Sequence, residues 1–285
     1  MQGTGFSVPG VTKPFHVLAV SGPRQSGKTH LACSAPGDIA IQSFDFGTNG
    51  VVQHFREEKV IWVAEYTYEV DLAADLLYHE AVGKDRATAE ELKAAAEKVA
   101  DRQADRVMQQ VWKPFVNDRK AAFSNPQVRT VVDDTATEIN EMLRLANFGK
   151  LERNPQLAYG PINAEYKSLV RMAHTYEKNL VLIHQVGNVW KKYTDPHGNT
   201  KEVETEELRA LGNKKADYLV HSWVRMEFVP PKRATDGTVV KKGFFRATVE
   251  KARLNPQVNG MTLDNPDWVT LMMFLAPDVP AEAWL

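Results

Sequence analysis

Short apolar runs, each ending in one or two polar residues, alternate along the chain with stretches of helical spacing. Phe15-His16-Val17-Leu18-Ala19-Val20, Ile39 to Phe44, Val60 to Ala64, Arg129 to Thr135 and Asn179 to Ile183 have the length and apolar content of buried strands. Between them, helical spacing runs from Thr29 past Cys33, through residues 69–123, from Ala136 to Phe148 and from Pro161 to Lys178. In the 69–123 stretch, Gly83-Lys84-Asp85 breaks one helix and Thr88-Ala89-Glu90-Glu91 opens a second as a capping box. That second helix, Ala89 to about Val111, is rich in alanine and charge and is expected to be mostly solvated, with Pro114 kinking or ending it. Apolar strands alternating with helices predict a parallel α/β sheet.

Beyond residue 185 the pattern changes. Val189 to Tyr193 and Thr200 to Glu204, joined by the turn Asp195-Pro196-His197-Gly198-Asn199, predict a two-stranded excursion. Tyr218 to Val229 and Gly243 to Lys251 read as longer strands, joined across Pro230, Pro231 and Asp236-Gly237. These are expected to extend the sheet antiparallel, and Trp268 to Leu275 to form a closing helix. The whole is read as one domain, 1–285, with a helical insertion over about 69–123 and an antiparallel extension over about 217–285.

With 285 residues, 43% of them hydrophobic, the chain can bury a sizeable core. A formal net charge of −1 gives no global field for a polyanion, so a nucleic-acid site would have to be a local patch. One cysteine, Cys33, excludes an internal disulfide and a cysteine-based zinc site. The sequence has no run of 18 apolar residues and no signal-like start, so no membrane is expected and a cytoplasmic location is.

The chemistry centres on Gly22-Pro23-Arg24-Gln25-Ser26-Gly27-Lys28-Thr29, which fits G-x-x-x-x-G-K-[ST] between an apolar strand and a helix. Its backbone N–H groups suit a triphosphate, Lys28 the β/γ-phosphates and Thr29 a Mg²⁺ ion. A metal held by phosphates needs few protein oxygens, and the strand ending at Asp133-Asp134 supplies them; Asp133 is expected beside Thr29. Polar residues just past strand ends bring Lys28, Asp45, Asp133 and Gln185 to one sheet edge, where such sheets bind ligands.

The loop, Asp45, Val131-Val132-Asp133, Ile183-His184-Gln185, and the order from Tyr159-Gly160-Pro161-Ile162-Asn163 to Lys214-Lys215-Ala216-Asp217 resemble the RecA-like ATPase core of bacteriophage nucleotide-binding and single-strand-annealing proteins. The resemblance covers roughly residues 15–255. It implies Lys28 and Thr29 as phosphate and Mg²⁺ ligands, Asp133 as the metal-side acid and Gln185 as a γ-phosphate sensor. Asp45 stands where the family has a glutamate that orients the attacking water; it is one methylene shorter, and Asp134 is the alternative. Lys251 and Arg253 match basic residues that reach a neighbouring subunit's nucleotide. Single-stranded DNA is expected at Lys150 and Arg153 and at Trp190, Lys191, Lys192 and Tyr193, with acidic residues following directly. What the resemblance implies is an ATPase that assembles on DNA with phage recombination or replication proteins. The alternative is a nucleotide-switched scaffold that docks partners through the Ala89 to Val111 helix.

Overall fold

The computed structural model describes residues 14–150, 159–194, 200–233 and 239–285. In chain order, β1 (Val17–Ser21), α1 (Lys28–Cys33), β2 (Asp38–Ser43), α2 (Asn49–Val52) and β3 (Ile61–Glu65) come first. The insertion follows as α3 (Ala73–Glu80), α4 (Arg86–Val107) and α5 (Lys113–Ser124), then β4 (Val128–Asp134), α6 (Ala136–Phe148), α7 (Tyr159–Tyr176) and β5 (Asn179–His184). The last part comprises β6 (Val186–Thr194), β7 (Thr200–Ala210), α8 (Ala216–Leu219), β8 (Ser222–Val229), β9 (Lys232–Arg233), β10 (Val239–Lys241), β11 (Phe244–Ala252), β12 (Thr262–Asp264) and α9 (Trp268–Leu275).

One eight-stranded sheet in the order β12-β11-β8-β1-β5-β4-β2-β3 forms the centre of an α/β fold. Strands β8, β1, β5, β4, β2 and β3 are all parallel to one another, whereas β11 pairs antiparallel with both β8 and β12. The antiparallel extension therefore starts one strand later than expected. β8 follows the short helix α8, which replaces the start of the expected Tyr218 to Val229 strand and returns the chain to the edge where β1 begins.

Period-two alternation distributes the strand residues over two cores. Leu18, Val20, Ile39, Ile41, Val132, Val181 and Ile183 pack with Leu31 and Cys33 of α1 and with Leu271, Met272 and Leu275 of α9. Val17, Ala19, Val131, Leu180 and Leu182 face the other way, onto Phe115 and Phe123 of α5, Ile139, Met142 and Leu143 of α6, and Tyr166 and Val170 of α7. Each fully buried aliphatic chain contributes about 1.5–3 kcal/mol.

The insertion is part of this second core. α4 begins at Asp85, whose carboxylate accepts the Thr88 N–H at 3.1 Å, so the expected capping box gives way to an earlier aspartate cap. Its far half buries Ala96, Ala100, Gln103 and Val107. Gly149 closes α6 in the left-handed conformation (φ 64°), and a Cβ there would lie 1.5 Å from the Ala100 carbonyl oxygen, so only glycine lets α4 approach. A π-helical stretch, Met108–Trp112, re-registers the backbone ladder ahead of Pro114, which sits in the first turn of α5 where its missing N–H costs little.

Candidate functional site

The loop between β1 and α1 sits at the carboxyl edge of the parallel strands, over a cavity of about 880 Å³. Residues 22–29, Asp45, Asp134 and Gln185 all line it, with His30, His54 and Phe245. Gly27 caps α1 with φ 85°, and a Cβ on it would meet the Phe245 ring at 2.9 Å. Lys28 Nζ donates to the carbonyls of Gly22 (2.8 Å) and Pro23 (2.6 Å). Burial lowers its pKa, against the pull of Asp134 and Asp45.

Thr29 Oγ1 donates to Asp134 Oδ2 at 2.9 Å. This corrects the expectation for Asp133. Val132 and Asp134 share the face that α1 covers, so alternation turns Asp133 to the opposite face. There Arg119 Nη1 of α5 donates to Asp133 Oδ1 at 2.5 Å and to Gln42 Oε1 at 3.0 Å, and Gln42 Nε2 donates to the Phe115 carbonyl at 3.0 Å and to Tyr66 Oη at 3.2 Å. Both members of the pair are buried, so Asp133 is a structural anchor for the insertion.

Burial, then the charge of Asp45, pushes the Asp134 carboxyl up to about 7, while the Thr29 hydrogen bond and Lys28 oppose the rise. A carboxylate held in that environment favours a nearby cation. Among the described residues, no cluster of three or more His, Cys, Asp or Glu side chains is placed to hold a metal. A Mg²⁺ ion carried by phosphates needs only one or two protein oxygens, a number that Thr29 and Asp134 could provide. Ser26 Oγ, buried in the loop without a protein partner, adds a further polar group.

Asp45 is exposed and its Oδ1 accepts the Gly47 N–H at 3.0 Å, a local turn on the cavity lining. Gln185 follows β5, the strand between β1 and β4, and lines the same cavity as the loop and Asp134. Its neighbour His184 is a buried strand-end residue, with Nδ1 on the Leu211 carbonyl (2.9 Å) and its ring stacked on Trp223.

Sequence reasoning missed Glu138, Thr137, Tyr68 and Phe245. Thr137 Oγ1 accepts the Gln185 backbone N–H (3.1 Å), and Glu138 accepts from Gln185 Nε2 (3.4 Å) and Tyr68 Oη (2.8 Å). The signal for Glu138 is the capping box Thr135-Ala136-Thr137-Glu138: Thr135 Oγ1 accepts the Glu138 N–H at 3.3 Å, but the Glu138 carboxylate turns toward Gln185.

Two ribbons leave the same sheet edge on either side of the loop. The β6–β7 ribbon carries Trp190 and Tyr193, 56% and 60% exposed. Its cations are matched by acids: Lys191 Nζ lies 2.7 Å from Glu207 Oε1, and Lys192 stands opposite Glu202. Residues 186–210 carry four basic and five acidic side chains. Residues 228–246, spanning β9, β10 and the start of β11, carry five basic (Lys232, Arg233, Lys241, Lys242, Arg246) and one acidic, and of the five Arg246 is paired with Asp264 of β12 at 2.7 Å. Lys241 Nζ and the Arg246 guanidinium lie 4.5 and 5.1 Å from the Phe244 ring centre.

Lys150 Nζ stacks 3.8 Å over the Tyr78 ring of α3, and Arg153 lies outside the described residues. Lys251 and Arg253 end β11 away from this chain's own loop, held by Asp217 and by the Tyr218 carbonyl, so an action on nucleotide would have to be on a neighbouring copy's. Fold and site together define an α/β protein with a phosphate-loop motif at the carboxyl edge of a mostly parallel sheet. No family model and no curated protein compared with the chain matches it.

Proposed function

We propose that this chain binds Mg·ATP at the loop and hydrolyses it, as a RecA-like ATPase whose turnover is coupled to single-stranded DNA. The observation that carries the reading is the Thr29–Asp134 hydrogen bond inside a cavity that Lys28, Asp45 and Gln185 also line. Lys28 and the loop amides would bind the phosphates, with Thr29 and Asp134 holding Mg²⁺, which supplies charge neutralisation. Asp45 is then the carboxylate that takes the attacking water's hydrogen bond, and Gln185 meets the γ-phosphate side of the cavity. The interposed β5 supports the coupling, because Gln185 is covalently continuous with the β6–β7 ribbon. For DNA, Trp190 and Tyr193 offer rings that stack on bases, and the 228–246 ribbon offers the charge that tracks phosphates.

The test is phosphate release from ATP and Mg²⁺ with and without single-stranded DNA. Wild-type protein is expected to turn over ATP faster with DNA, and Lys28→Ala to lose activity by about 10³-fold or more. Turnover indifferent to DNA across salt concentrations would remove the DNA half; turnover surviving in Lys28→Ala would remove the site.

A further inference from the structure

Gln185 is held at three points. Its backbone N–H donates to Thr137 Oγ1 (3.1 Å), its carbonyl accepts the Leu211 N–H (2.8 Å) where the ribbon returns, and its amide nitrogen meets Glu138 Oε1 (3.4 Å). The second carboxylate oxygen of Glu138 accepts from Tyr68 Oη at 2.8 Å. Burial, reinforced by Glu138, pushes the Tyr68 pKa up, so the phenol remains a donor. The chain beyond Tyr68 is fastened to α4: Gln103 Nε2 (3.3 Å) and Arg106 Nη2 (3.4 Å) donate to the Glu69 carbonyl, and Gln103 Oε1 accepts the Asp71 N–H at 3.1 Å. Glu138 is thus fixed from the insertion, and Gln185 from Glu138.

This arrangement decides the polarity of the Gln185 amide. A carboxylate only accepts hydrogen bonds, so the end of the amide that faces it must be the NH₂ group, and the oxygen is the end Glu138 leaves unengaged, on a residue that lines the cavity. An oxygen there accepts from a water molecule; an NH₂ group turned the same way would donate to phosphate and leave the water to Asp45 alone. We propose that Glu138 is a positioning residue, which holds the Gln185 amide with its oxygen toward the cavity so that it accepts a hydrogen bond from the attacking water. The proposal rests on the hydrolysis reading. In that step the water oxygen bonds to the γ-phosphorus as the bond to the β–γ bridging oxygen breaks, ADP keeps the electron pair, and the water's protons pass to phosphate and solvent. The same link gives α4 a route to the site through Tyr68.

The experiment compares wild type, Glu138→Gln, Gln185→Ala and the double variant. Glu138→Gln keeps size but offers either a donor or an acceptor to Gln185, so the constraint on polarity is lost. The readouts are kcat and KM for ATP with Mg²⁺, the melting temperature, and the side-chain ¹⁵N–¹H₂ resonances of Gln185, assigned by their disappearance in Gln185→Ala. We expect Glu138→Gln to lower kcat by about tenfold or more with KM nearly unchanged, to shift the Gln185 resonances, and to add little to Gln185→Ala. Tyr68→Phe should show the same split more weakly. Additive effects, an unmoved Gln185 resonance, or normal turnover in Glu138→Gln would overturn the inference while leaving the hydrolysis reading intact. A wild-type protein that releases no phosphate would overturn both.

Discussion

Asp133 and Asp134 are consecutive residues of one strand, and the sheet separates them into two different kinds of carboxylate. On the α1 face, Asp134 meets a threonine hydroxyl and a cavity; on the insertion face, Asp133 meets a buried guanidinium. Burial raises the pKa of both, but at Asp133 the opposing force is Arg119, whereas at Asp134 a neighbouring carboxylate adds to the rise. One acid is already paired within the fold, and the other is set to pair with something brought in. The chemistry of a side chain here follows from which helix layer its strand position faces.

The largest expected effect comes from breaking the paired side. Asp133→Ala leaves Arg119 charged and buried without its partner and should cost about 3–5 kcal/mol, read from urea unfolding. The double replacement Arg119→Met with Asp133→Leu removes both charges and should recover most of that loss. If Asp133→Ala were as stable as wild type yet failed to turn over ATP, the two carboxylates would have been assigned the wrong way round.

Acid tests the sheet away from the loop. Burial, and for His16 also His221, lowers the pKa of His16 to about 3, and burial lowers that of His184 to about 4, from the usual 6.5. The folded state therefore prefers both rings neutral. Their contribution is complete above about pH 6.5 and is lost as pH falls toward the folded-state values, by about 2 kcal/mol for each at pH 5. Asp134, with its carboxyl pushed up to about 7, contributes in the opposite sense over this range. The histidine contribution is therefore read from wild type against His16→Asn in urea unfolding at pH 7.5 and pH 5, where the two should differ by about one histidine's share. A His16→Asn variant whose stability fell with acid as steeply as that of wild type would contradict the burial of this ring.

The two ribbons give the smallest effects and sharpen the comparison at the sheet edge. Lys241→Ala with Lys242→Ala should weaken binding of single-stranded DNA and reduce the salt dependence of binding by up to about two charges, at the ≈0.7 slope for each phosphate contact on a single strand. Trp190→Ala should cost about 1–3 kcal/mol and leave the salt slope unchanged. The reverse pattern would give the charge role to the balanced ribbon.

Much of this architecture was legible in the sequence. The apolar runs announced β1 to β5, the loop motif announced its own place at the sheet edge, and α6 and α9 lie where their spacing put them. What alternation could not give is absolute direction. Val131-Val132-Asp133-Asp134 states that the two acids face opposite ways, but which faces α1 depends on where the helices pack, a long-range outcome. The charge of α4 likewise concealed its alanine seam and Gln103, because small residues bury against neighbours with little hydropathy signal. The direction of β8 depended on α8, four residues whose local pattern continues the strand. Glu138 went unread, because its carboxylate's partners come from Tyr68 and Gln185, roughly 50 to 70 residues away in the chain.

The most direct measurement is phosphate release by Asp134→Asn across a Mg²⁺ titration, alongside its unfolding curve. The account predicts a folded protein, as stable as wild type or more so because a costly buried charge has gone, with turnover reduced about 10²-fold or more at every Mg²⁺ concentration. Wild-type turnover with unchanged Mg²⁺ dependence in Asp134→Asn would contradict it.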